Sequence, residues 1–262
     1  GALLIHAFSK ETGRPAFLVN PPDVDEFQDL ARLTGLKGVY RESRVHALNQ
    51  KEVALRYAAE RGKKYEECNF VVAHIGGGLS VCAHQKGRMI DGNDVLNGDG
   101  PMAPNRAGSV PAVPLIKMCF SGKFTEKEMI EKIGKTGGLY GHLGTDSILE
   151  IKERVKNGDA YAKLVYEGMA YQLAKFIGSY AAALGGEVEA ILLTGGVSND
   201  AAFVEQIARR CGWIAPVKAY AGDYEMEALA AGAIRALEGS EPLREYTGIP
   251  VWSGFAGQPA AE

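Results

Sequence analysis

The spacing of apolar positions along this chain changes several times, and each change predicts a different element. Leu3, Leu4, Ile5 and Phe8 recur at helical intervals in GALLIHAFSKETG, with Gly13 as a stop. PAFLVN, over 15–20, reads as a short apolar strand closed by Pro21 and Pro22. Helical spacing returns over 25–33 and, more strongly, over 46–61, where a glycine follows the last turn. The segments NFVVAHIGGG, LSVCAHQKG and RMIDGND then read as three short strands, divided by a Gly-rich turn and a Lys-Gly turn.

Beyond Pro111 helices dominate the pattern. They are predicted over 112–120, over 125–133 with Thr125 and Glu128 as a capping box, and over 159–184, ending at Gly185 and Gly186. AILLTGG, over 190–196, is a fully apolar strand that enters a glycine pair. A helix over 200–210, a strand in WIAPVKAY and a last helix over 225–237 follow. Prolines and small polar residues after Glu238 predict a loosely held tail. Strands alternating with helices after a hairpin meander predict an α/β fold with a mixed sheet and flanking helices.

Composition narrows the classes of function. A net charge of -3 with 23% charged residues gives no field that would recruit nucleic acid or an anionic membrane. An anionic ligand would have to be met by a few placed cations. Cys68, Cys82, Cys119 and Cys211 are widely spaced and form no CxxC pair, so neither a metal site nor a disulfide framework is indicated. No segment is long and apolar enough to span a bilayer and no signal peptide opens the chain, which points to a soluble, cytoplasmic protein. The first helix starts without an initiator Met or a capping residue, so Gly1 is expected to lie inside a longer natural protein.

Four places could carry chemistry. In His74-Ile75-Gly76-Gly77-Gly78 a strand delivers a histidine to its end, and three glycines expose backbone N–H groups that can cradle phosphate oxygens. A glycine hairpin selected for turn geometry alone would look the same. Thr194-Gly195-Gly196-Val197-Ser198-Asn199 follows a buried strand, where a nucleotide could sit at the strand's carboxyl end. It is not the G-x-G-x-x-G fingerprint, so NAD is not supported, and an ordinary strand–helix turn remains the plainer reading. Arg106 stands in the Gly- and Pro-rich loop 98–108, and its planar guanidinium suits a carboxylate or a phosphate, although most loop arginines are merely solvated. His46 opens a helix, whose N-terminus disfavours imidazolium but presents donors to an anion; a satisfied core or capping histidine is the plainer reading. His6, His84 and His142 stand in no motif and receive no role.

Taken in order, PAFLV, HALNQKEVALRYA, NFVVAHIGGGLSV, KGRMID, GDGPMAPNRAG, CFSGK, AYQLAKFIGSYAAALGG, ILLTGG and EMEALAAGAIR resemble the acetokinase family, in its butyrate kinase branch. The resemblance implies a ribonuclease-H-like (actin-like ATPase) fold with the active site in a cleft between two domains. It divides the chain into a remnant of the first domain and hinge (1–42), a second ribonuclease-H-like domain carrying the nucleotide and acyl site (43–222), a C-terminal helix returning toward the first domain (223–238) and a flexible tail (239–262). It implies phosphoryl transfer between ATP/ADP with Mg2+ and a short-chain carboxylate such as butyrate, in a homodimer or higher homo-oligomer. His46 and His74 would steady the transferring phosphoryl group and Arg106 would face it and the carboxylate. Gly76, Gly77 and Gly78 would form the phosphate-facing turn, and Gly195, Gly196 and Asn199 would lie on the nucleotide side. Glu225 matches a magnesium-linked glutamate.

Two departures stand out. The family's Asn-Pro-Gly-Ser-Thr-Ser-Thr-Lys type of phosphate segment is not in this sequence, which predicts little or no turnover by the chain alone. Asn20 stands where the family usually has an aspartate, which predicts weakened use of magnesium. Acetate or a branched acid such as isobutyrate remains open as the substrate, and so does a nucleotide-binding module without turnover.

Overall fold

The computed structural model describes residues 2–245 and 247–256. Helix α1 (Ala2–Thr12), the single turn α2 (Asp29–Arg32) and α3 (Ala47–Glu60) precede an antiparallel meander of β1 (Asn69–Ile75), β2 (Leu79–Gln85) and β3 (Arg88–Gly92). Helices α4 (Ala112–Cys119), α5 (Glu126–Gly134), α6 (Gly138–Leu143), α7 (Ile148–Lys156) and α8 (Ala160–Ala183) follow. The chain then returns through β4 (Ala190–Gly195), α9 (Ala201–Cys211), β5 (Val217–Ala221) and α10 (Glu225–Leu237). The sheet order is β3-β2-β1-β4-β5, with β1–β4 and β4–β5 parallel. This is the mixed α/β sheet that the alternation of patterns predicts.

Period-two alternation sorts the sheet's side chains. Val71, Ala73 and Ile75 of β1, with Leu79 and Val81 of β2 and Ile191 and Leu193 of β4, join the long α8 (Met169, Leu173, Ile177) and α9 (Phe203, Ile207) in the main core. Phe70, Val72, Ala190 and Leu192 face the other way and pack on Val53, Ala54 and Tyr57 of α3. Both central strands are buried along their whole length, which is why they read as unbroken apolar runs. The register sets His74 opposite Ser80 and Thr194, and Phe70 opposite His84. Directly opposed residues share a face, so His74, Ser80, His84 and Thr194 form a polar row on the face that α3 covers. All four are buried.

Local capping sets the helix starts. Thr125 and Glu128 form a reciprocal capping box, and Asp159 and Asp200 accept N–H bonds from Ala162 and Ala202. Cys68, Cys82 and Cys211 are buried and Cys119 is exposed; all four are free thiols. Among the described residues no helix is long and apolar enough to cross a membrane.

Several local expectations are corrected. Residues 15–20 form no strand: no neighbouring strand pairs with them, and Val19 instead seats against Gly232 of α10, where a Cβ would collide with it. The helix expected over 25–33 shrinks to α2. Asp25 accepts the Phe27 N–H and holds the Arg32 guanidinium at 2.6 Å, which keeps the preceding residues in a non-helical turn. Helices α6 and α7 were hidden in the sequence by glycines at 137, 138, 141 and 144. In the tail, Trp252 and Phe255 pack edge-on against Tyr40, and Arg32 lies 4.9 Å from the Trp252 ring centre. Gly1, Tyr246 and 257–262, on which parts of the first helix and the tail were expected, lie outside the described residues.

The core assignment predicts a contrast within one small region. Leu173→Ala empties a fully buried position and is expected to cost about 2–5 kcal/mol. Leu149→Ala, at a side chain 82% exposed, should stay within about 0.5 kcal/mol. Urea unfolding of both variants measures the difference.

Candidate active site

His46 is the N-cap residue of α3, and its side chain makes no capping bond to the helix. Its Nδ1 lies instead 2.7 Å from Ser80 Oγ on β2. His74, next to last in β1, lies on the face that α3 covers, and the two imidazoles stack with centroids 4.1 Å apart and planes inclined by 23°. Two neighbouring residues of α3 tie its first turn to the polar row. Asn49 Oδ1 accepts the Thr194 hydroxyl at 2.8 Å, and Gln50 Nε2 donates to Ser80 Oγ at 2.7 Å.

The glycine turn follows directly. The Gly76 N–H bonds to the Gly78 carbonyl, closing a tight loop at the end of β1. A Cβ on Gly78 would overlap the Arg106 guanidinium, and one on Gly77 would come to 3.4 Å from Asn105 Nδ2. Arg106 and Asn105 therefore lie directly over the turn, an approach that only side-chain-free backbone permits. The loop carrying them is rigidly framed. Its stem is held by Asn93, whose amide bonds the Val81 N–H and the Leu79 and Asp99 carbonyls. Its far end is held by the Ala103 N–H to the Arg106 carbonyl, and by Leu139 and Tyr140 N–H groups to the Ala103 and Pro104 carbonyls.

Charge at this place is lopsided. Arg106 makes no side-chain hydrogen bond or ion pair among the described residues, and its Nη1 is buried without a partner, as is Nδ1 of His74. Two carboxylates border the place: Asp146 Oδ2 lies 3.5 Å from Asn105 Nδ2, and Asp223 Oδ1 lies 3.8 Å from His74 Nε2 with its side chain half exposed. Burial pushes His74 down to about 4. Burial, then the charges of His74 and Arg106, push His46 down to about 3, against a smaller opposing pull from Asp223. Burial also lowers Arg106 from its ordinary value, yet a guanidinium stays cationic at neutral pH. Two neutral imidazoles and an uncompensated cation thus meet over a bare-backbone turn. Such a set can hold an anion by hydrogen bonds and one charge.

The remaining candidates are placed differently. Gly195 ends β4 at φ 89, and a Cβ there would come to 2.6 Å from the Ile75 carbonyl oxygen, so close strand packing itself demands glycine. Gly196 is exposed with open space around it, and Asn199 Nδ2 bonds back to the Gly196 carbonyl at 2.9 Å. Glu225 opens α10 with an exposed side chain, two residues after Asp223. Carboxylates of this kind could orient the waters of a divalent ion carried on nucleotide phosphates. Asn20, where the family usually has an aspartate, brings no negative charge and adopts the left-handed φ of 40 ahead of Pro21. Among the described residues no three His, Cys, Asp or Glu side chains form a metal-binding group.

Ser80, Gln50, Asn49 and Asp223 escaped the sequence reading, and His84 was given no role although it bonds both Tyr65 and Gln50. A signal was present: Ser80 and His84 interrupt an apolar strand at alternate positions, and Gln50 lies one helical turn after His46.

The model of the acetokinase family matches residues 36–214. The chain belongs to the acetokinase family. His46, His74, Arg106, both glycine turns and Asn199 fall inside the matched span; Asn20 and Glu225 fall outside it. A protein of Clostridium botulinum named "Probable butyrate kinase" is 45% identical over 246 residues, which are 94% of this chain and 69% of that protein. Among solved structures, acetate kinase from Porphyromonas gingivalis superposes with a TM-score of 0.73 at 23% identity, covering 81% of this chain and 61% of that one. A propionate kinase from Francisella tularensis gives 0.68 at 21% identity, covering 78% and 60%. At these identities the likeness establishes the fold, which is the actin-like ATPase fold of acetokinase family members. The chain thus spans less than two thirds of the length of either of these two solved structures.

Stability in acid follows from the histidines. His46, His74 and His84 are all held below the ordinary imidazole value by burial, His84 down to about 3. The unfolded chain therefore binds protons that the folded chain refuses. Stability is intact above about pH 6.5 and is lost as pH falls from there toward the folded values. Near pH 5, unfolding should take up about three protons through these residues, and His84→Gln should lower the uptake by about one. The slope of unfolding free energy against pH reads this number.

Proposed function

We propose that this chain is the nucleotide- and acyl-side part of an enzyme that transfers a phosphoryl group between ATP and a short-chain carboxylate, with butyrate as the preferred acid. The reading rests on one observation: neutral His46 and His74 and cationic Arg106, from three separate stretches of chain, converge over the Gly76–Gly78 turn. Likeness to the Clostridium botulinum protein supports butyrate over acetate.

The chemistry suits that set. Phosphoryl transfer passes through a loose, metaphosphate-like state, so positioning and charge stabilisation count for more than a strong base. A carboxylate is ionised at neutral pH and needs no proton removed before it attacks. Arg106 can engage two oxygens at once and orient that carboxylate in line with the phosphoryl group, its buried Nη1 supplying a donor that lacks a protein partner. Neutral imidazoles can donate N–H to the equatorial oxygens without drawing the nucleophile into an ion pair. Exposed backbone at Gly77, with no side chain of its own, would face the phosphates beside Arg106. Mg2+ carried by the nucleotide would neutralise charge on the β- and γ-phosphates, with Asp223 and Glu225 as carboxylates able to orient its waters.

Assay belongs in a protein that joins this chain to the phosphate-binding segment of its family. Acyl phosphate formed from ATP and butyrate, trapped with hydroxylamine, is the expected product, and acetate and isobutyrate should give less. Arg106→Ala is expected to lower kcat about 10²–10³-fold. Nucleotide binding without any acyl phosphate from the intact protein would leave only a binding module.

A further inference from the structure

We propose that Gln50 and Ser80 are positioning residues that lock His46 as the tautomer protonated on Nε2, at the end of a one-way hydrogen-bond chain that starts at Tyr65. Every direction along that chain follows from the chemistry of its atoms.

Gln50 fixes the first direction. Its Nε2 lies 2.7 Å from Ser80 Oγ and 3.3 Å from the Ser80 carbonyl oxygen. A carbonyl only accepts, so the atom facing it must be the amide nitrogen and cannot be the amide oxygen. Oε1 therefore points the other way, to His84 Nε2 at 3.0 Å. An amide oxygen only accepts as well, so His84 carries its hydrogen on Nε2. His84 is fully buried, and burial holds its pKa down to about 3, so it has one ring hydrogen at neutral pH. Its Nδ1 is then bare and accepts from the Tyr65 hydroxyl, 2.7 Å away.

Ser80 carries the direction on to the site. Its Oγ accepts from Gln50 Nε2 and from the His46 backbone N–H at 3.4 Å. Those two donors use both lone pairs, which leaves one O–H to donate. The remaining neighbour is His46 Nδ1 at 2.7 Å. Nδ1 must accept, and the single hydrogen of neutral His46 sits on Nε2, the ring edge turned away from β2. His74 has no such tether, since its Nδ1 is buried without a partner. The tautomer of one imidazole of the stacked pair is thus imposed by the fold, and that of the other is not.

This deepens the proposed phosphotransfer reading, where Nε2–H of His46 is the group that meets a phosphoryl oxygen. The opposite tautomer would turn a lone pair toward an anion. The tautomer assignment itself does not depend on turnover.

Long-range 15N–1H correlation spectra of the chain labelled at histidine, at pH 7 and assigned with single His→Gln variants, test it. His46 and His84 are each expected to show hydrogen on Nε2 and a bare Nδ1. Ser80→Ala should let the Nδ1–H form of His46 grow in while His84 keeps its pattern, and Ser80→Thr, which retains the hydroxyl, should preserve the original form. Hydrogen on Nδ1 of His46 in the unaltered chain would overturn the proposal. An unmoved His46 spectrum in folded Ser80→Ala would overturn it too. Loss of the kinase reading would show separately, as absence of acyl phosphate with these spectra intact.

Discussion

The structure depends on one constraint: a polar row lies on a sheet face that is otherwise apolar, and burial makes every unpaired group in it costly. His74, Ser80, His84 and Thr194 are each almost wholly hidden from water. An unsatisfied buried donor or acceptor costs about 1–3 kcal/mol, so Ser80, His84 and Thr194 each take a partner from the covering element, whereas His74 stacks on His46 and keeps its Nδ1 unpartnered. The first turn of α3 supplies those partners through His46, Asn49 and Gln50. The same bonds that satisfy the sheet therefore place His46 beside His74. Site and fold share a single set of hydrogen bonds, so loosening one loosens the other.

A second hub holds the cationic side. Arg41 bonds Asp91 and Asp99, the Ala31 and Gly92 carbonyls and the Tyr180 hydroxyl. Burial opposes its charge, but Tyr180, Asp99 and Asp91 outweigh that and raise its pKa above the ordinary value. Asp99 also accepts the Asp94 N–H, and its own carbonyl receives the Asn93 amide, so Arg41 fastens the stem of the loop that delivers Arg106. The contrast between the two arginines is chemical. Arg41 is saturated with partners and serves the frame, whereas Arg106 keeps donors free over the glycine turn.

Membership of the acetokinase family and the arrangement of these groups bear on each other without being the same evidence. The family match covers the two histidines and Arg106, but it says nothing about ring tautomers, stacking or which donors stay free. Those come from the packing of α3 and the 93–110 loop against the sheet. Asn20 and Glu225 lie outside the matched span.

Much of the architecture was legible from local pattern. Long apolar runs marked β1 and β4, and caps at Thr125, Asp159 and Asp200 marked helix starts, because strand and helix periodicity and capping are local properties. The glycines of 76–78 and His46, His74 and Arg106 stood out by type and motif. What the chain order could not supply was the company each keeps. Ser80 and Gln50 are unremarkable polar residues until strand register and helix docking bring them within a hydrogen bond, and Asp223 meets His74 across nearly the whole domain. The expected strand at 15–20 failed for the matching reason, since a strand exists only where a neighbour pairs with it. By itself the sequence determined which elements form and which side chains can do chemistry. Tertiary structure alone decided which of them touch, because register and packing between distant segments set distances that no local spacing encodes.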